Sequence, residues 1–362
     1  MKRTLLFALT VAFAVVSCSR TYEAHPVSDE TPIGFGAWNN TLTRAHAPEA
    51  TAFDSGESFD VYGYKVLSGG NANVFSGDEV TLSGTTWDYS PHRFWDNNAT
   101  KYVFYAVSPH GIIPATPDHT QDGLFTSSTV TFATTYASTN DILVAQEETV
   151  SPVSGVYAPT AVPMKFKHVA ALLDIKARKS NSLHDSQVTI NSVSLNNVLS
   201  QGTFTVASYD ATSHEPQVAL ANWTAGTTTA SYTNASGATS VTLSGITDLA
   251  EWTLSASNQT TGTTLIDHLV VMPQTLTASG QQLVINYTIT TGTETSVHEA
   301  TIDMVSFDKS DDKTNGTEVI STWEPNTHYL YYVTIDANAI TFSASINAWG
   351  STTQSGYYYL MD

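Results

Sequence analysis

Cysteine is almost missing from this sequence: Cys18 is the only one in 362 residues. No disulfide framework can brace the chain, so a fold made in an oxidising compartment must stand on its apolar core alone. Charge is sparse too, at 13% of residues, and it leans one way, with 33 acidic against 14 basic residues and a formal net charge of −19. That balance excludes nucleic acid, whose phosphates need a basic footprint, and otherwise bears on solubility. Long amphipathic helical stretches are missing; the one place for a short helix is near Asp141 to Gln146. Catalytic signatures are missing as well. The 11 histidines make no HExxH or paired zinc spacing, and there is no Gly-x-Ser-x-Gly elbow, P-loop or dinucleotide glycine pattern. Asp118 to Gly123 resembles the first half of a calcium loop, but the twelfth place holds Thr129 instead of a glutamate. Asp308 to Asp312 reads as a solvated acidic loop. The expectation is therefore a protein with no enzymatic activity, cofactor or metal.

What the chain has is alternation. Ile340, Phe342, Ala344 and Ile346 alternate with polar residues, and the same period-two reading fits Leu283, Ile285, Tyr287 and Ile289, and Tyr329, Tyr331, Val333 and Ile335. A period of two with one face apolar predicts half-buried strands. Tyr102 to Val107 is apolar on both faces and predicts a central strand. Turn clusters such as Ser68-Gly69-Gly70-Asn71 and Thr314-Asn315-Gly316 separate the strands. Many short strands punctuated in this way predict an all-β protein built of antiparallel β-sandwiches. At this length two domains fit, with a boundary in the proline-containing stretch Ser151 to Pro163.

Cys18 stands at an informative place. Lys2 and Arg3 precede an apolar run from Leu5 to Val16, which ends in Val15-Val16-Ser17-Cys18. The run is shorter than the roughly 20 residues needed to span a bilayer. Its order of parts is that of a secretory signal, and a cysteine at the processing boundary makes it a lipobox. Residues 1–18 are then the signal, with Cys18 as the acylated residue. Several acyl chains, at ~0.8 kcal/mol per buried methylene, anchor a protein stably.

Between the lipid and the first domain, Ile33, Phe35 and Ala37 alternate with Gly34, Gly36 and Trp38 and predict a strand. Thr43-Arg44-Ala45 follows, and beyond Lys2, Arg3 and Arg20, Arg44 is the only basic residue before Lys65. An arginine in an exposed polar stretch is a protease target; from spacing alone, a solvated linker arginine is the better reading. At the other end, Gly350 to Gly356 leads into Tyr357-Tyr358-Tyr359-Leu360-Met361. A flexible connector with an aromatic strand behind it has the form of a mobile donor, and it reads equally as the last strand of the second sandwich. The seven tryptophans suggest an alternative, a monomeric surface lipoprotein that stacks glycans on exposed rings. Most read as core, and Trp87, Trp95, Trp223 and Trp252 are open.

Taken in order, the chain resembles the fimbrillin family of the Bacteroidales, the subunits of type V pili. The likeness rests on the lipobox at Cys18, Ile33-x-Phe35 and Thr43-Arg44-Ala45, Phe59-x-Val61-Tyr62-Gly63-Tyr64, Lys101 to Pro109, Asp141 to Ala145 and Phe166 to Leu172. It continues with Trp323-Glu324-Pro325-Asn326-Thr327-His328-Tyr329, Ile340-x-Phe342 and Trp349. The resemblance implies two transthyretin-like sandwiches in tandem, residues 45–160 and 161–362, behind a propeptide of residues 19–44. It implies cleavage between Arg44 and Ala45 by an arginine-specific protease at the outer membrane, loss of the strand carrying Ile33, Phe35 and Ala37, and entry of a strand from another subunit. Tyr357, Tyr358, Tyr359, Leu360 and Met361 are then the candidate donor. The expected partners are other fimbrial subunits, the outer membrane through the lipid, and a receptor on a host or bacterial surface. Four apolar side chains leaving the groove would cost on the order of 10 kcal/mol at ~1.5–3 kcal/mol each.

Overall fold

The computed structural model describes residues 31–37, 53–111, 125–127, 129–132, 141–150, 161–206, 209–210, 212, 215–233, 241–243, 263–306, 319–337 and 340–348. Among these, the only helices are single 3-10 turns at Asn181–Leu183, Leu220–Asn222 and Met304–Ser306. The protein is all-β.

The first half carries β1 (Phe35–Ala37), β2 (Ser58–Leu67), β3 (Gly70–Ser83), β4 (Thr86–Asp88), β5 (Lys101–Ser108), β6 (Phe125–Thr126), β7 (Val130–Thr131), β8 (Leu143–Val150), β9 (Val162–Met164) and β10 (Phe166–His168). Six of them form an antiparallel sheet in the order β10-β8-β5-β2-β3-β4, and β1 pairs in parallel with β9. The β2–β3 hairpin turns at the glycine-rich cluster, where Gly70 has φ 123°. Gly63 lets β2 lie close to β5: a Cβ there would stand 2.8 Å from the Val103 carbonyl oxygen. β5 is buried along both faces, as its apolar run predicts. Tyr102, Phe104 and Ala106 enter the first core, and Val103, Tyr105 and Val107 enter a second cluster on the other side.

The anticipated short helix near Asp141 is not formed. Asp141 and Ile142 lead directly into β8, which lies between β10 and β5. Every residue from Asp141 to Glu147 is buried, and a run buried on both faces has no period by which a strand and a helix can be told apart.

The second half carries β11 (Ala171–Lys179), β12 (Ser186–Leu199), β13 (Gln201–Val206), β14 (Tyr209–Asp210), β15 (Glu215–Pro216), β16 (Trp223–Ala225), β17 (Thr229–Thr233), β18 (Val241–Thr242), β19 (Thr263–Val271), β20 (Gln274–Thr275), β21 (Gln282–Thr291), β22 (Glu294–Asp303), β23 (Thr322–Trp323), β24 (Thr327–Ile335) and β25 (Ile340–Ala348). Two sheets, β19-β11-β24-β25 and β17-β12-β21-β22, pack across a core that includes Leu173, Ile175, Val188, Leu195, Ile285 and Tyr331. Within that core Trp323 Nε1–H donates to the Tyr331 hydroxyl at 2.7 Å. β21 alternates as expected. β24 does not: Leu330, Tyr332 and Thr334, on the face opposite the core, are buried as well, and the Arg178 guanidinium stands 5.7 Å from the centre of the Tyr332 ring. β24 also lies parallel to β11.

The halves are joined by more than the chain. β6 and β7 pair with β13. Tyr64, Val103 and Tyr105 from one side meet Leu172, Phe204, Trp223 and Met272 from the other in a shared apolar cluster. At the handover the buried His168 Nδ1 lies 2.6 Å from Asp141 Oδ1, a structural contact inside the fold.

Candidate functional site

β1 is three residues long, and the segment is held by main-chain hydrogen bonds and by buried side chains. Its ladder partner among the described residues is β9, with Phe35 opposite Val162 and Ala37 opposite Met164. Val162 N–H donates to the Gly34 carbonyl at 2.8 Å, Ile33 N–H to the Arg93 carbonyl at 2.8 Å, and Trp95 N–H to the Thr31 carbonyl at 3.0 Å. The Tyr89 hydroxyl donates to the Ile33 carbonyl at 2.7 Å. Burial raises the Tyr89 phenol above its ordinary value, against the opposing influence of Arg93, so the donor stays protonated.

Ile33 is 1% exposed and Phe35 4%. The Phe35 ring stands 5.3 Å from Phe75, 5.6 Å from Phe104, 5.8 Å from Tyr89 and 6.2 Å from Phe59, mostly edge to face. These are the separations at which aromatic pairs attract beyond their buried area. Beside β1 and β4 lies an open groove of ≈ 530 Å³, lined by Thr31, Pro32, Gly34, Phe35, Thr86 and Trp87. The segment is therefore a plug. It fills an aromatic socket, adds a single parallel rung set to β9, and comes from a part of the chain remote from the strands it completes.

Ile33 and Phe35 thus meet in one core, as their alternation predicts. The socket residues Phe75, Tyr89 and Arg93 were not legible as partners; the only signal was the abundance of aromatics ahead of Ser151. Cys18, Arg44, Ala45 and the tail residues Tyr357, Tyr358, Tyr359, Leu360 and Met361 lie outside the described residues, as do the acidic stretches at Asp118 and Asp308 and the side chain of Ala37. The tryptophans offer no stacking platform among the described residues. Trp95, Trp223 and Trp323 are buried, and the half-buried Trp87 stands 4.9 Å from Phe59 and 5.2 Å from Phe53. Trp38, Trp252 and Trp349 lie outside the described residues.

A family model described as fimbrillin-like matches residues 43–349. The chain belongs to the fimbrillin-like family. Membership makes this fimbrillin-like protein a fimbrial component of the cell surface and not an enzyme. Comparison with curated protein sequences returns no match. Among solved structures, a fimbrial protein from Bacteroides vulgatus is 18% identical, with a TM-score of 0.53, over 88% of this chain and 99% of its own. The tip fimbrial protein Mfa3 from Porphyromonas gingivalis, with a C-terminal truncation, is 14% identical over 85% of this chain and 98% of its own, at a TM-score of 0.39. The first of these likenesses speaks to the fold of the fimbrillin-like chain. β1 and the residues beyond 349 fall outside the span that the family model matches.

Proposed function

We propose that this fimbrillin-like protein is a fimbrial subunit, exported as a lipoprotein on Cys18, cut between Arg44 and Ala45 at the outer membrane, and joined to other subunits by β-strand addition to mediate adhesion. The tandem transthyretin-like arrangement and the domain limits at residues 45 and 161 belong to this reading. The observation that carries it is β1 itself: three residues, one parallel partner, and a phenylalanine in a four-ring socket. Its removal uncovers the edge of β9 and an apolar groove, the combination that invites a strand from elsewhere.

The energetics support displacement. Two side chains, Ile33 and Phe35, are buried here, so ~3–6 kcal/mol of apolar burial is lost with the strand. This is less than the ~10 kcal/mol expected from four side chains, yet comparable with a domain's whole stability of ~5–15 kcal/mol. An uncut chain is capped, and a cut one gains by taking another strand, for which Tyr357 to Met361 of the next subunit is the candidate. The test is to purify two chains, one beginning at residue 19 and one at Ala45, and compare them on denaturing gels without boiling. A ladder of oligomers from the shorter chain alone supports the proposal. Monomers from both remove its strand-exchange step.

A further inference from the structure

A second cluster of chemically capable side chains lies far from β1, where β11 meets β19. Leu173 pairs with Leu269 and Ile175 with Ile266, so the single residue Asp174 faces two, Asp267 and His268. A two-against-one bulge of this kind re-aims side chains. His268 takes a left-handed φ of 50°, and its backbone N–H donates to Asp174 Oδ1 at 2.5 Å. From β24, His328 Nε2 lies 2.7 Å from the other oxygen, Asp174 Oδ2.

Asp174 is 5% exposed. Both of its oxygens are held, Oδ1 by the His268 backbone N–H and Oδ2 against His328, which fixes the orientation of the carboxyl group. Ligand atoms of Asp174, Asp267 and His268 all lie within 4.8 Å of one another. A tetrahedral ion with bonds of ~2.0–2.2 Å draws its ligands to roughly 3.4 Å apart, a small rotation of exposed side chains. Asp267 is 57% exposed and His268 25%, so an ion can enter from solvent and keep a water. One imidazole nitrogen with two carboxylates suits zinc and its neighbours; calcium and magnesium ask for six or more oxygens.

We propose that Asp174, Asp267 and His268 bind one divalent ion of the zinc class, with His328 positioning Asp174 and water in the remaining place. The ion would clamp the bulge of β19 to β11 beside Leu172 and Val270, which pack against the first half. The spacing was invisible in sequence, because the residues are 94 and 154 positions apart.

The test is equilibrium dialysis of tag-free protein against Zn²⁺, with the absorption spectrum of the Co²⁺ form as a second readout. The expected result is one ion per chain, at least about tenfold weaker binding in His268→Ala and in Asp267→Asn, and about 10–100-fold weaker binding in His328→Ala. The two bulge variants should retain the metal-free melting temperature, which separates loss of ligands from loss of fold. No saturable uptake, uptake unchanged in both bulge variants, or displacement of Zn²⁺ by equimolar Mg²⁺ or Ca²⁺ overturns the assignment.

Discussion

Truncating Phe35 measures how firmly the plug is seated. Its ring is 4% exposed and touches four other rings, and deleting such a side chain from a packed core costs ~3–5 kcal/mol. The plug can also leave as a unit, because its ladder is a three-residue pairing with β9 and the β2–β3 hairpin does not depend on it. The cost of a substitution therefore cannot exceed the free energy that seats β1; beyond that limit the strand undocks while the rest stays folded. In a series Phe35→Leu, Phe35→Ala, Phe35→Asp, the loss of stability should rise and then level off at ~3–6 kcal/mol, the value expected from burial of Ile33 and Phe35. Urea unfolding of the uncut chain gives the three values, and hydrogen exchange at the Val162 amide, bonded to Gly34, reports undocking directly. A loss below ~1 kcal/mol for Phe35→Ala, or an aspartate variant that unfolds the whole chain without a plateau, refutes the picture of a separable plug.

Three further outcomes follow from the packing. Gly63→Ala should destabilise by ~1–3 kcal/mol, because its methyl would press on the Val103 carbonyl at 2.8 Å; a neutral effect in thermal unfolding would show that β2 and β5 can part. Asp141→Ala should cost ~1–3 kcal/mol by removing the hydrogen-bond partner of the buried His168 Nδ1, and an Asp141→Ala, His168→Leu double variant should cost less than the single one; equal or larger loss in a denaturation series contradicts this. The Asp60 hydrogen bond raises the His110 pKa, outweighing burial, with the charges of Asp60 and Glu79 adding to it. A histidine raised in the folded state stabilises fully below its ordinary value of 6.5 and loses that contribution as pH rises through the folded value. The stability difference between the parent and His110→Gln should therefore shrink as pH is raised from 6 toward neutrality and beyond, and a difference that does not change with pH counts against the contact.

Fold class was legible because alternation is a local signal. β21 buries Leu283, Ile285 and Tyr287 while its other face stays wetter, and β5 betrays two buried faces by its unbroken apolar run. β24 misled because Thr334 and Tyr332 look like solvent-facing residues, yet they are covered. The 141–146 stretch was ambiguous because burial on both sides erases the period. Pairings across long separations leave no local trace: β1 with β9, β11 with β24, and β6 and β7 with β13. The same holds for sites. Ile33 and Phe35 were visible as a strand, but their socket of Phe59, Phe75, Tyr89 and Phe104 is assembled from four separate places in the chain. Asp174 and its histidines lie on three strands with no motif between them.

The central claim is that β1 is a removable strand whose loss prepares the subunit for a partner. Its most direct test is to treat the chain from residue 19 with trace trypsin, sequence the new N-terminus, and follow the released peptide and the size of the product together. A single cut after Arg44, departure of the peptide carrying Ile33 and Phe35, and a growing ladder of denaturation-resistant oligomers is the predicted result. A cut chain that keeps the peptide and stays monomeric, or no cleavage at Arg44, contradicts it.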